Sequence, residues 1–257
     1  MENKKEKLED FKTAISSTVR SLSNSQEIEI SFGNQAIKSS KNSIRLPDLQ
    51  QGSNKLNYEK IRAIADSKSL NLRFSDMKTL KKYEPEGNIS KKLYSISEKI
   101  RCEKIGTSYF KGVKKNIEKY YYKRLSGLDL KSSEDKIIES FENYLRVKFL
   151  NFKNESQIDK KLKPFKKDLN DQLKNRINEL KDLTLDQEKF NSLVSKMIND
   201  MSLDENINEE EKRDEENDND DKQSKPQNQE QKTKEKDEKN EEMSIDSGVP
   251  DLEHEAK

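Results

Sequence analysis

Apolar residues recur at three- and four-residue steps from the start of the chain. Leu8, Phe11, Ile15, Val19 and Leu22 fall on one face of a helix at that spacing. The period then changes. Ile28, Ile30 and Phe32 alternate with Glu27, Glu29 and Ser31, which predicts a half-buried strand with its polar residues facing solvent. Gly33-Asn34 breaks that run, and alternation resumes at Ile44 and Leu46 until Pro47. The pattern predicts a β-hairpin over about residues 27–47 with a loop of roughly ten residues. An isolated hairpin is marginal in water, so its apolar face is expected to rest on neighbouring helices.

Helical spacing returns and persists. Tyr58, Ile61, Ile64 and Ala65 open a second helix. Ile89, Leu93, Ile96 and Ile100 give a third that is expected to stop near Gly106, and Phe110, Val113, Ile117 and Tyr121 a fourth bounded by Gly127. Ile138, Phe141, Leu145, Phe149 and Phe152 give a fifth, with Ser132 or Ser133 as its N-cap. Two more carry Phe165, Leu169, Leu173, Ile177 and Leu180, then Phe190, Val194, Met197, Ile198 and Met201. Pro164 suits the first turn of the former, and Thr184 with Gln187 could form a capping box before the latter. The fold class is mainly α with a small β element. No internal repeat and no sustained heptad pattern is visible.

Charge divides the chain in two. Residues 204–257 hold 21 Asp and Glu against 9 Lys and Arg and have no aromatic residue. That leaves the body, residues 1–203, at about +13 and the tail at about −12, so the net charge of +1 is a sum of opposites. Such a tail cannot bury enough apolar surface to offset the entropy of ordering, and it is read as a disordered acidic segment. The body is long enough for a real core. A single cysteine, Cys102, rules out an internal disulfide and fits a reducing compartment. No apolar run approaches the ~20 residues of a bilayer span. The charged N-terminus has no apolar stretch behind it to make a secretory signal. A cytoplasmic protein without membrane contact is expected.

Candidate chemistry is sparse. The one histidine, His254, lies in the acidic tail, which excludes a His-based triad or His-rich metal site in the body. Cys102 sits in a helical pattern and reads as an inert thiol. "GTSYFKG", 106–112, places Lys before its second glycine with no Ser or Thr following, so it fails the phosphate-loop pattern and reads as a turn between helices. "DSKS", 66–69, puts Lys68 where a metal-ion-dependent adhesion motif needs an oxygen ligand, and reads as helix surface. "KYYYKR", 119–124, interleaves aromatics with cations as single-strand binders do. At helical spacing, though, Tyr121 points inward with Ile117. A basic face that meets an acidic partner, or the protein's own tail, is the favoured reading over nucleic acid.

In order along the chain, several segments carry a resemblance. "FKTAISSTVRSLSNSQEIEISFGN" followed by "NSIRLPDL", then "IRAIADSKSLNLRFSD" at 61–76, then "EPEGNISKKLYSISEKIRCEKIGTSYFKGVKKNIE" at 84–118 resemble the N-terminal region of the T subunit of aerobic cobaltochelatase, the CobT type. Asp66-Ser67 stand where that family has Asp-Ser. The last segment keeps Pro85, Gly87, Glu98, Arg101, Glu103, Gly106, Gly112 and Asn116 in the family's arrangement. Ser75-Asp76 stand where the family commonly has His-Asp, so no ligand is carried over at that position.

The resemblance implies a non-catalytic subunit of an ATP-dependent chelatase that inserts cobalt into hydrogenobyrinic acid a,c-diamide in aerobic cobalamin biosynthesis. It implies an AAA+ S subunit and a large N subunit as partners in a hetero-oligomer. No cofactor is expected on this chain, the complex using ATP, magnesium and cobalt. Residues 1–203 would be the helical N-terminal region and 204–257 the acidic linker. The family's C-terminal von Willebrand A-type domain would lie beyond the linker and is absent from this sequence. Asp66, Glu98, Arg101, Glu103, Gly106, Gly112 and Asn116 are the candidate partner-contact or family-motif residues, with Glu98, Arg101 and Glu103 the candidates for a charged contact and a purely intrachain helix surface the other reading of each. The hairpin is expected to be structural. The alternative is a basic nucleic-acid-binding module with an autoinhibitory acidic tail.

Overall fold

The computed structural model describes residues 2–33, 43–48, 58–127, 130, 132–153, 162, 169 and 173–201. The acidic segment 204–257, with Pro164 and Phe165, lies outside them.

The mainly α class is borne out. Helix α1 (Glu2–Ser23) leads to strands β1 (Glu29–Phe32) and β2 (Ser43–Leu46). Helices α2 (Tyr58–Phe74), α3 (Met77–Lys82), α4 (Asn88–Tyr109), α5 (Lys111–Gly127) and α6 (Ser133–Phe149) follow. The described residues end with α7 (Ile177–Asp182) and α8 (Gln187–Asp200). Among them no helix is long and apolar enough to cross a membrane.

The strands fall where alternation places them, but they pair in parallel, Glu29 opposite Ser43 and Phe32 opposite Leu46. The expected hairpin is therefore not formed. Alternation reports which face of a strand is buried and is blind to the direction of its partner. Ile28, Ile44 and Leu46 are buried, Ile30 and Phe32 half-buried, and Ser31, expected outside, is buried too. Gly33 closes β1 with φ +61°, its N–H bonded to the Leu46 carbonyl at 2.8 Å. An added Cβ there would sit 2.9 Å from the Asp48 Cβ, so both conformation and space call for glycine.

Two apolar clusters result. The first joins Leu8, Ile15 and Val19 of α1 to Ile28, Ile44 and Leu46 of the sheet and to Ile61 and Ala65 of α2. The second is centred on α4 and α6, covered by α5, by α8 and by Leu162, Leu169 and Leu173. Helix α2 belongs to both: it packs on α1, α4 and α5.

Helix ends follow local chemistry, with two departures from expectation. Ser132 caps α6, accepting from the Asp135 N–H at 3.0 Å. Asn24 and Asn151, after α1 and α6, take the left-handed conformation at φ 57° and 54°, as helix-terminating asparagines do. The capping box expected from Thr184 and Gln187 does not form. Asp186 caps α8 instead, accepting from the Lys189 N–H at 3.1 Å. Thr184 donates back to the Lys181 carbonyl, and Gln187 bonds both ways with the Asp76 backbone. The second departure is at Gly106: α4 continues through it to Tyr109.

Candidate functional site: a buried charge network

Four helices contribute the central features, α2, α4, α5 and α6. Helix α6 runs through the middle of the second core, and its residues 138–146 are buried without interruption. A helix buried on every side is normally apolar all round. This one carries Glu139, Glu142 and Arg146 inside, and α4 presents Glu98, Arg101 and Glu103 alongside them. Buried charges persist only when paired and hydrogen-bonded, and each of these is.

Arg146 is the hub. Its guanidinium meets Glu103 at 2.6 Å and donates to Glu142 through Nε at 2.8 Å. Glu103 also accepts from the Ser67 hydroxyl of α2 at 2.6 Å. Glu142 passes the connection on to Arg124 of α5 at 3.0 Å, and Arg124 forks onto Glu139 at 2.5 and 2.9 Å. The chain from Ser67 through Glu103, Arg146, Glu142 and Arg124 to Glu139 thus ties α2, α4, α6 and α5 together. Tyr121 lies beneath both arginines, its ring 4.7 Å from the Arg146 guanidinium carbon and 5.5 Å from that of Arg124.

A second pair stands apart. Glu98 receives a bidentate bond from Arg101, both contacts 2.8 Å. Its Nη1 donates to the Thr184 carbonyl at 3.0 Å, and Nη2, besides bonding Glu98, donates to the Phe74 carbonyl at 2.5 Å. That side chain clamps the α2–α3 junction to the turn between α7 and α8, where Gln187 and Asp76 also meet. Asp66 makes a third polar contact, accepting from the Asn116 side chain of α5 at 2.8 Å.

Electrostatics follow the geometry. Burial pulls against the charge of Arg146, but Glu103 and Glu142 overcome it and hold the guanidinium more firmly protonated than usual. Burial likewise opposes ionisation of Glu142, yet Arg146, Lys99 and Arg124 bring its carboxyl down to about 2. Glu139 moves the other way: burial and the neighbouring Glu142 charge raise it, and Arg124 only partly compensates. Burial also raises Asp66, against the Asn116 bond and the Arg62 charge. The Cys102 thiol is buried and pushed well above its ordinary range, consistent with an inert thiol.

These positions correct two expectations. "DSKS" is not helix surface, since Asp66, Ser67 and Ser69 are buried and only Lys68 is partly open. Glu98, Arg101 and Glu103 do not present a charged contact to a partner. They are 1%, 1% and 0% exposed, and their partners are Thr184, Phe74, Arg146 and Ser67. Of the seven candidates, Asp66, Glu98, Arg101, Glu103 and Asn116 therefore belong to intrachain polar contacts.

Gly106 belongs to packing. A Cβ there would lie 2.2 Å from Leu70 Cδ2, so it marks close approach of α4 and α2, not the end of a helix. Gly112 alone is open, with space around a hypothetical Cβ. The residues that sequence reasoning missed are Arg124, Glu139, Glu142 and Arg146. Their visible signal was the four-residue step from Glu142 to Arg146 inside an apolar pattern.

Chemically the arrangement binds charge to charge. Among the described residues no group of three or more His, Cys, Asp or Glu is placed to hold a metal ion. An apolar void of about 10 Å³, lined by Ile100, Phe141, Phe149 and Phe190 among others, lacks the polar partners that a water needs. The aromatic platform suggested by "KYYYKR" is largely internal, with Tyr121 and Tyr122 buried.

Fold and site together define a helical scaffold cross-braced by internal ion pairs. The chain belongs to the cobalamin biosynthesis protein CobT family, whose sequence profile matches residues 5–256. Membership places it in cobalamin biosynthesis, as a subunit of a cobaltochelatase that works with other subunits. No solved structure matches the chain.

Proposed function

We propose that this chain is a non-catalytic, assembly-forming subunit of an ATP-dependent cobaltochelatase that inserts cobalt into hydrogenobyrinic acid a,c-diamide. Its partners in that reading are an AAA+ ATPase S subunit, which hydrolyses ATP with magnesium, and a large N subunit, which holds the corrin ring. Residues 1–203 are the assembly body and 204–257 the acidic linker toward the family's A-type domain.

The observation that carries the reading is the family match over 5–256 combined with the placement of the motif charges. Glu98, Arg101 and Glu103 brace the helices from inside, which is how a rigid platform is built and not how a substrate is held. A platform transmits force between neighbours only if its helices move as one body. A network spanning α2, α4, α5 and α6 supplies that stiffness.

Co-purification with the cognate AAA+ subunit, with ATP, with ADP and without nucleotide, tests the proposal. A stable complex in at least one nucleotide state is expected. Failure to associate in all three would remove the reading.

A further inference from the structure

Helix α5 has two faces of opposite character. Val113, Ile117, Tyr121 and Leu125 are buried, while Lys111, Lys115, Lys119 and Lys123 are exposed at four-residue steps. Three such steps make a stripe of cations about 18 Å long. The helix holds six basic residues against a single acidic one, Glu118, which is engaged elsewhere, accepting from the Lys153 N–H at 2.9 Å. Lys119 pairs with Glu59 of α2 at 2.5 Å, but both side chains are more than half exposed. An ion pair in that setting is weak and exchanges readily. Helices α4 and α6, by contrast, set Arg101 and Arg146 against carboxylates inside the fold. Among the described residues the exposed positive face of α5 has no comparable counter-charge.

The same chain carries one. Residues 204–221 contain eleven Asp and Glu against Lys212 and Arg213, and six of the eight residues from Asp214 to Asp221 are acidic. An extended peptide covers about 18 Å in roughly six residues, so this run matches the stripe in length as well as sign. From Met201 to Asp214 there are thirteen residues, able to span about 40 Å at ~3.3 Å each. That is about the width of a compact domain of this size, so α5 is within reach wherever the run departs.

We propose that the lysine stripe of α5 is a docking surface for the chain's own acidic segment, residues 204–221, in cis. Docking covers the positive face and withholds it from other polyanions. Exposed charges separated by more than about 10 Å are screened near 0.1 M salt, so the contact is set by ionic strength and yields to a competing anion.

The test uses the full-length chain. Carbodiimide coupling joins only lysines and carboxylates already in contact. Peptide mapping of the monomer fraction is expected to find Lys111, Lys115, Lys119 and Lys123 joined to carboxylates of 204–221. The yield should fall several-fold between about 50 and about 500 mM salt. A full-length variant with the eleven carboxylates of 204–221 changed to Asn or Gln is expected to bind heparin roughly tenfold or more tightly at low salt, because the stripe is uncovered. The proposal is overturned if the acidic segment couples to Lys78, Lys81 and Lys91 as often as to the α5 stripe. Coupling found only between differently isotope-labelled copies would replace docking in cis by docking on a second copy. Unchanged heparin affinity in the amide variant would overturn it as well.

Discussion

Along α2, two kinds of interior lie within a few residues of each other. Ile61 and Ala65 face α1 and the parallel strands in a cluster made of aliphatic side chains. Asp66 and Ser67, the next positions, reach Asn116 of α5 and Glu103 of α4 instead. The first interior is held by area removed from water, about 25 cal/mol per Å², and tolerates changes that keep volume. The second is held by direction and charge. Each of its members must find the right partner, because a buried charge without one is costly. The apolar cluster says only that the elements pack. The network says which rotation of α4 faces which rotation of α6.

That contrast can be broken most severely at Arg146. Changing Arg146→Ala leaves Glu103 and Glu142 buried without their shared cation and is expected to cost about 3–5 kcal/mol, measured by urea unfolding. A loss under about 1 kcal/mol would mean that the network is solvated and the contrast false. Leu46→Ala removes a buried side chain from the apolar cluster and is expected to cost about 3 kcal/mol by transfer and cavity terms. Restoring the volume with Leu46→Met should recover most of that, whereas Arg146→Lys should recover little, since lysine cannot reproduce the fork.

Gly106→Ala sharpens the comparison from the side of helix contact. In an exposed helix interior the change would stabilise by about 1 kcal/mol. Here the added Cβ meets Leu70, and a loss of about 1–3 kcal/mol is expected, partly relieved by Leu70→Ala. A gain in stability would show that α2 and α4 are further apart.

The smallest effect is at Asp66, whose carboxyl is raised by burial from its ordinary 3.8. A raised carboxyl favours the folded state fully below the unfolded value and loses that contribution as pH rises through the folded one. Asp66→Asn keeps an acceptor for Asn116. It is expected to be more stable than the parent at neutral pH, with the advantage shrinking as pH falls toward 3.8 and gone below it. Thermal melts at several pH values would show this. An advantage that grows toward acid would contradict the assignment.

Much of the architecture was legible because its cause is local. The steps from Leu8 to Leu22 and from Ile138 to Phe149 report helix faces directly, and all but Phe11 of the first set are buried. Strand positions were legible from alternation and their parallel pairing was not, because pairing depends on where the connecting chain travels. The short helix α3, capped by Asp76, has no buried residue and so left no apolar period to read.

The site was half legible. Glu98, Arg101 and Glu103 were singled out as residues, yet placed outside, since charge is ordinarily a sign of surface. Only tertiary structure reveals that Arg146 stands opposite Glu103 and Arg124 opposite Glu139 and Glu142. Gly106 reads as punctuation because a glycine that stops a helix and one that admits a neighbour, here Leu70, look alike in one sequence.

The most direct test of the braced scaffold is a double-mutant cycle on Glu103 and Arg146, using Glu103→Leu, Arg146→Met and the pair together. Internal pairing predicts a coupling of about 1–3 kcal/mol in unfolding free energy, the double variant being more stable than the sum of the single losses allows. Strict additivity, within about 0.5 kcal/mol, would show that the two charges do not hold each other and would contradict the account.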